Sequence, residues 1–69
     1  MEELRRVRDY LGLSRMLVSV ATGVSMHRLA GAETGRLELN PTEKRALDEF
    51  YQDKIRILRE LKQRYGGEV

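Results

Sequence analysis

The sequence predicts an all-α domain, a bundle of four helices (five if the last one breaks) with a long helix at its C-terminal end. Three observations carry that prediction. Apolar residues recur at spacings of three and four, and no stretch alternates as a strand would. Serine, glycine and Asn-Pro punctuation divides the chain where short helices would start and stop. After Pro41 no breaker occurs until Gly66-Gly67.

The first helix covers about residues 2–11, with Leu4, Val7 and Leu11 on one face. Gly12 follows where a left-handed residue ends a helix. Ser14 caps a second helix that runs to about Thr22. Gly23-Val24-Ser25 makes a three-residue break, and Ser25 caps a third helix over about 26–33, closed by Thr34-Gly35-Arg36. In Asn40-Pro41-Thr42-Glu43, Asn40 caps, Pro41 suits the first helical position and Glu43 can reach back to the cap.

The last helix, 41–65, would be roughly 36 Å long at about 1.5 Å per residue. The residues before it form a ball no wider than about 25 Å. Ala46, Leu47, Phe50 and Tyr51 can pack on that ball, whereas Ile55, Ile57, Leu58, Leu61 and Tyr65 overhang it. We expect a second copy to cover the overhang, making a homodimer through these five residues. Lys54 interrupts the heptad seam Leu47, Phe50, Lys54, Ile57, Leu61, so a compact pairing suits the helix better than a long coiled coil. Residues 1–65 read as one domain and 66–69 as a fraying tail.

Sixty-nine residues leave stability marginal, and with no cysteine neither disulfides nor thiolate zinc sites can staple the fold. One histidine cannot build a metal site, and no cofactor is expected. Thirteen cations against eleven acids give a net charge of +2, which permits a nucleic-acid partner without demanding one. Up to Arg36 there are six cations and four acids, and beyond it seven of each, so the excess lies in the front half. The longest apolar stretch, 16–21, is broken by Ser19, so neither a membrane span nor a secretory signal is expected, and the cytoplasm is the expected compartment.

Residues 14–35 carry the functional pattern. Gly23 bends the chain, Val24 plugs the angle between two short helices, and Ser25 caps the second, in which Leu29 and Ala32 face inward. His27, Gly31 and Thr34 form the outward row, and Met26, His27 and Arg28 crowd the first turn. In a helix-turn-helix that turn enters the major groove.

The stretch from Leu13 to Arg36, LSRMLVSVATGVSMHRLAGAETGR, resembles the phage repressor and Cro-like (XRE-type) helix-turn-helix family, read as L-S-Q-x-x-L-A-x-x-x-G-V-S-x-x-x-I-S-x-x-E-x-G-K/R. Leu13, Ser14, Gly23, Val24, Ser25, Glu33, Gly35 and Arg36 match, with Val18 and Leu29 as apolar equivalents. The resemblance covers about residues 2–52 and implies a lambda-repressor-like bundle, a short single-domain member of the family. It also implies sequence-specific binding of double-stranded DNA as a transcriptional regulator, on a palindromic operator if the protein is a dimer. By position, Met26, His27 and Arg28 would contact bases, and Arg15, Thr34 and Arg36 would contact phosphates.

The departures from the pattern matter as much. Ser19 replaces the usual alanine at the helix crossing, a small-for-small change. Gly31 occupies a base-facing position where it reads nothing and costs about 1 kcal/mol of helix propensity, for which the sequence alone offers no account. Met16, Leu17 and Val20 make the outer face of the second helix apolar where the family is polar. The long helix or its copy in a dimer covers that stripe on the first reading. On the second, Met16, Leu17, Val20 and Gly31 dock another regulator, as in an antirepressor or antitoxin-like module.

An enzyme is not expected. Ser25 and His27, two apart on a helix, do not face each other, and the acids are read as scattered over solvated faces with no paired site. The last helix interleaves cations and acids, as in an expected Glu60–Arg64 pair, and so suits water rather than a membrane surface. Arg5, Arg6 and Arg8 are read as the wet side of the first helix.

Overall fold

The computed structural model describes residues 2–65, and of Glu2 the backbone alone. Four helices follow one another: α1 (Glu2–Tyr10), α2 (Arg15–Thr22), α3 (Met26–Glu33) and α4 (Pro41–Tyr65), with no strand among the described residues. The fraying tail, 66–69, lies outside the described residues.

The helix boundaries are set by local chemistry. The Ser14 Oγ accepts from the Leu17 amide at 3.1 Å, and the Ser25 Oγ accepts from the Arg28 amide at 3.2 Å, each satisfying an amide that a helix start leaves unpaired. The turn between α2 and α3 needs a left-handed residue, which Gly23 supplies at φ 78°. At the start of α4 the Glu43 amide donates to Asn40 Oδ1 at 2.8 Å, and the Asn40 amide donates to Glu43 Oε1 at 2.9 Å. This reciprocal capping box holds Pro41 in the first helical position.

The core is one cluster drawn from α2, α3, the loop and the first half of α4: Val18, Val24, Leu29, Ala32, Leu39, Leu47 and Tyr51. Leu4, Val7, Leu11, Leu13, Leu37 and Phe50 pack around it. Val24 is buried between the two short helices, as its turn position requires. Beyond Tyr51 α4 leaves the core: residues 56–65 are exposed, and Ile55 is half-buried. The overhang gives the chain principal extents of 43 × 19 × 17 Å. The ion pair on α4 joins Arg56 to Asp53, and the Glu60–Arg64 pair is not formed.

Two readings of the acids and cations are corrected here. Glu33 is not on a solvated face; it is 4% exposed. Arg8 does not lie on the wet side of α1, for it turns inward to meet Glu33. Both corrections have one cause. Glu33 lies one turn beyond Leu29 and next to Ala32 on the inner face of α3, so burial forces it to find cations.

Candidate nucleic-acid interface

The α2–turn–α3 unit is braced from beneath by that buried carboxylate. Arg8 donates to Glu33 from Nε (2.7 Å) and Nη2 (3.0 Å), and Arg15 donates from Nε (2.9 Å). Arg8 Nη1 also donates to the Leu13 carbonyl at 3.0 Å, which ties α1 to the entry of α2. Burial pushes the Glu33 carboxyl up, but the bonds from Arg8 and Arg15 outweigh it and leave the group below its ordinary range. Three helices are thereby locked at one point.

This geometry sorts the predicted contact residues. Met26 and His27 stand exposed on the first turn of α3. Met26 shares a shallow depression with Arg5, Ser14, Arg15 and Met16, so the start of α2 and the start of α3 present one surface. Arg15 remains 38% exposed at the side chain while bonded to Glu33. Arg36 is exposed beyond α3.

Arg28 is occupied elsewhere. Its guanidinium forms a two-point pair with Glu43, through Nε to Oε2 and through Nη2 to Oε1 at 2.7 Å, and Nη2 also reaches the Glu38 carbonyl at 3.4 Å. The Arg28 pair, with help from the Asn40 amide, holds the Glu43 carboxyl down at about 2. Arg28 thus points across to the capping box of α4, away from the role of a free base reader. Thr34 is exposed, but its hydroxyl donates back to the Ala30 (2.9 Å) and Gly31 (3.2 Å) carbonyls, so its proton is already committed.

Gly31 is corrected outright: it is buried and cannot face a base or a docking partner. A Cβ built there would stand 2.6 Å from Leu37 Cδ2 and 2.8 Å from its Cγ. The chain after α3 folds back over this glycine, and its carbonyl accepts from the Arg36 (2.8 Å) and Leu37 (3.3 Å) amides. Close approach of Leu37 is why a glycine stands in α3.

The apolar face of α2 is not covered within the chain. Met16 is 63%, Leu17 47% and Val20 80% exposed, which overturns the reading that the chain's own α4 shields them. No family model, curated protein or solved structure matches this chain. The reading of the site therefore rests on its own geometry. Among the described residues no group of three or more His, Cys, Asp or Glu is placed to hold a metal ion, and no helix is long and apolar enough to cross a membrane.

What the sequence missed here are partners far apart in the chain: Glu33 with Arg8, and Arg28 with Glu43. For the first, the inward turn of Glu33 had a usable signal, since positions 29, 32 and 33 share one helix face, but the identity of its partner had none. The second had none, because it depends on how the loop 34–40 returns α4 to the start of α3.

Proposed function

We propose that this protein binds double-stranded DNA as a small transcriptional regulator, presenting the first turn of α3 to the major groove. The observation that supports this most directly is the shared surface of Met26 with Ser14 and Arg15, beside an exposed His27. A turn exposed in this way, flanked by the start of the preceding helix, is the shape that enters a groove. With Arg28 held by Glu43, Met26 and His27 carry the base contacts, the methionine packing on a thymine methyl and the imidazole bonding to a base edge. Arg15 and Arg36 contact phosphates.

Selection from random duplexes, followed by binding measured against salt, tests the reading. Arg36→Ala should weaken every duplex alike and reduce the slope of log K against log salt by about one, while His27→Ala should change which sequences are preferred. Failure to retain any duplex at low salt overturns the proposal.

The exposed Met16, Leu17 and Val20 favour a second reading, in which α2 docks another regulator as an antirepressor or antitoxin-like module does. Apolar side chains clustered on one exposed helix face mark contact surfaces. Leu17→Glu with Val20→Glu would then abolish regulation while leaving duplex binding intact.

A further inference from the structure

We infer that two copies of this chain pair by an antiparallel exchange of α4. The distal half of each α4 lies in the groove between α1 and the proximal half of α4 in the other copy. This inference does not depend on what α3 reads.

The apolar surface for such a pairing is continuous. Leu4 and Val7 of α1 with Leu47, Tyr51 and Ile55 of α4 line an open groove of about 560 Å³. Tyr10 with Ile55, Leu58, Leu61 and Tyr65 lines a second of about 740 Å³ further along α4. Ile55 belongs to both. Along α4 the residues Leu47, Tyr51, Ile55, Leu58, Leu61 and Tyr65 follow at spacings of three and four and form a single stripe. Ile57 lies at the edge of this stripe, one turn before Leu61.

The distal half also needs a cover. About ten residues of helix beyond a core are marginal in water unless one face is packed. Leu58, Leu61 and Tyr65 remain 43%, 44% and 67% exposed. The first groove offers an apolar surface of matching chemistry, and a groove and a helix that complement each other within one chain satisfy a two-fold interface twice over.

Charge selects the direction. Residues 55–65 carry four cations against one acid, and residues 41–54 carry four acids against three cations. Parallel pairing would set the basic half against its twin. Antiparallel pairing sets it against the acidic half. A two-fold axis near Ile55 then brings Lys62 of one copy to Asp48 of the other, on a groove wall that also carries Glu3, Lys44 and Arg45.

The test is sedimentation of the full chain over a range of concentrations, combined with cross-linking. The expected result is reversible association to twice the 8.0 kDa chain mass. Leu58→Glu with Leu61→Glu should give a monomer that keeps the helical circular dichroism of the bundle and loses that of the last turns of α4. Lys62→Glu alone should weaken association about tenfold, and Asp48→Lys added to it should restore it, a readout that a folding defect could not produce. Because the chain has no cysteine, an oxidised mixture of Asp48→Cys and Lys62→Cys chains should cross-link to each other. A chain that stays monomeric at every concentration, a failed rescue, or Lys62→Cys chains that cross-link to themselves in preference to Asp48→Cys would overturn the inference.

Discussion

A carboxylate withdrawn from water between two guanidinium groups makes Glu33 the side chain on which this small core most depends. Replacing it by Gln removes the charge that faces Arg8, only 11% exposed at the side chain, and leaves that guanidinium the Leu13 carbonyl and Asp9 at 3.7 Å. Breaking a buried pair on one side costs about 3–5 kcal/mol, a large part of what a domain of this size can hold. Urea unfolding of Glu33→Gln should therefore show a midpoint far below that of the parent, or no folded baseline. The same group sets an acid limit. Its folded pKa lies below the ordinary value of 4.5, so its contribution is complete above that value and is lost as pH falls through the folded one. Stability followed by circular dichroism should hold from neutral pH down to about 5 and decline below it. That Glu33 faces inward was legible in its spacing from Leu29 and Ala32. That Arg8 and Arg15 would reach it was not, because charge on a helix face says nothing of which neighbour a long side chain will find. Gly31 shows the same limit: its propensity cost was visible, and the Leu37 side chain that explains it arrives from beyond the helix.

At the level of elements, caps and breakers were the legible part. Ser14, Gly23, Ser25 and Asn40-Pro41 act on their own neighbours within three or four residues, so boundaries follow from sequence with little help from tertiary packing. The coupling between elements was hidden. Glu43 serves two helices at once, capping α4 through Asn40 and holding Arg28 on α3. With its carboxyl down at about 2, it stays ionised across the whole physiological range, and pH cannot release Arg28 there. Mutation can. Glu43→Gln keeps the reach to the Asn40 amide but removes the charge that pins the guanidinium, so Arg28 becomes available to a guanine edge or a phosphate. If α3 reads DNA, this variant should bind duplexes more tightly than the parent, with a salt slope steeper by about one and a shift in preference toward guanine. Unchanged affinity and slope would place Arg28 outside the contacting surface altogether.

The whole molecule is an incomplete shape: a bundle in which, among the described residues, the buried ones all precede Gln52, with a helix that continues past it. The overhang was legible because helix length follows from residue count, while the ball it leaves behind grows only slowly with chain length. Its face was legible in large part, since Ile55, Leu58, Leu61 and Tyr65 line one groove; that α1 brings Tyr10 to the same groove was not, because it depends on tertiary packing. If the antiparallel pairing forms, association is linked to folding, and stability must respond to concentration by mass action. Above the dissociation constant each tenfold rise in protein is worth about 1.4 kcal/mol per dimer, shared between two chains. For chains of this length that raises the melting temperature by about 3–6 °C per tenfold. The double variant Leu58→Glu with Leu61→Glu should melt at one temperature whatever its concentration, and below the parent at high concentration. A parent whose melting temperature is equally flat would mean that the long helix stands without its twin, and that stability comes from the bundle alone.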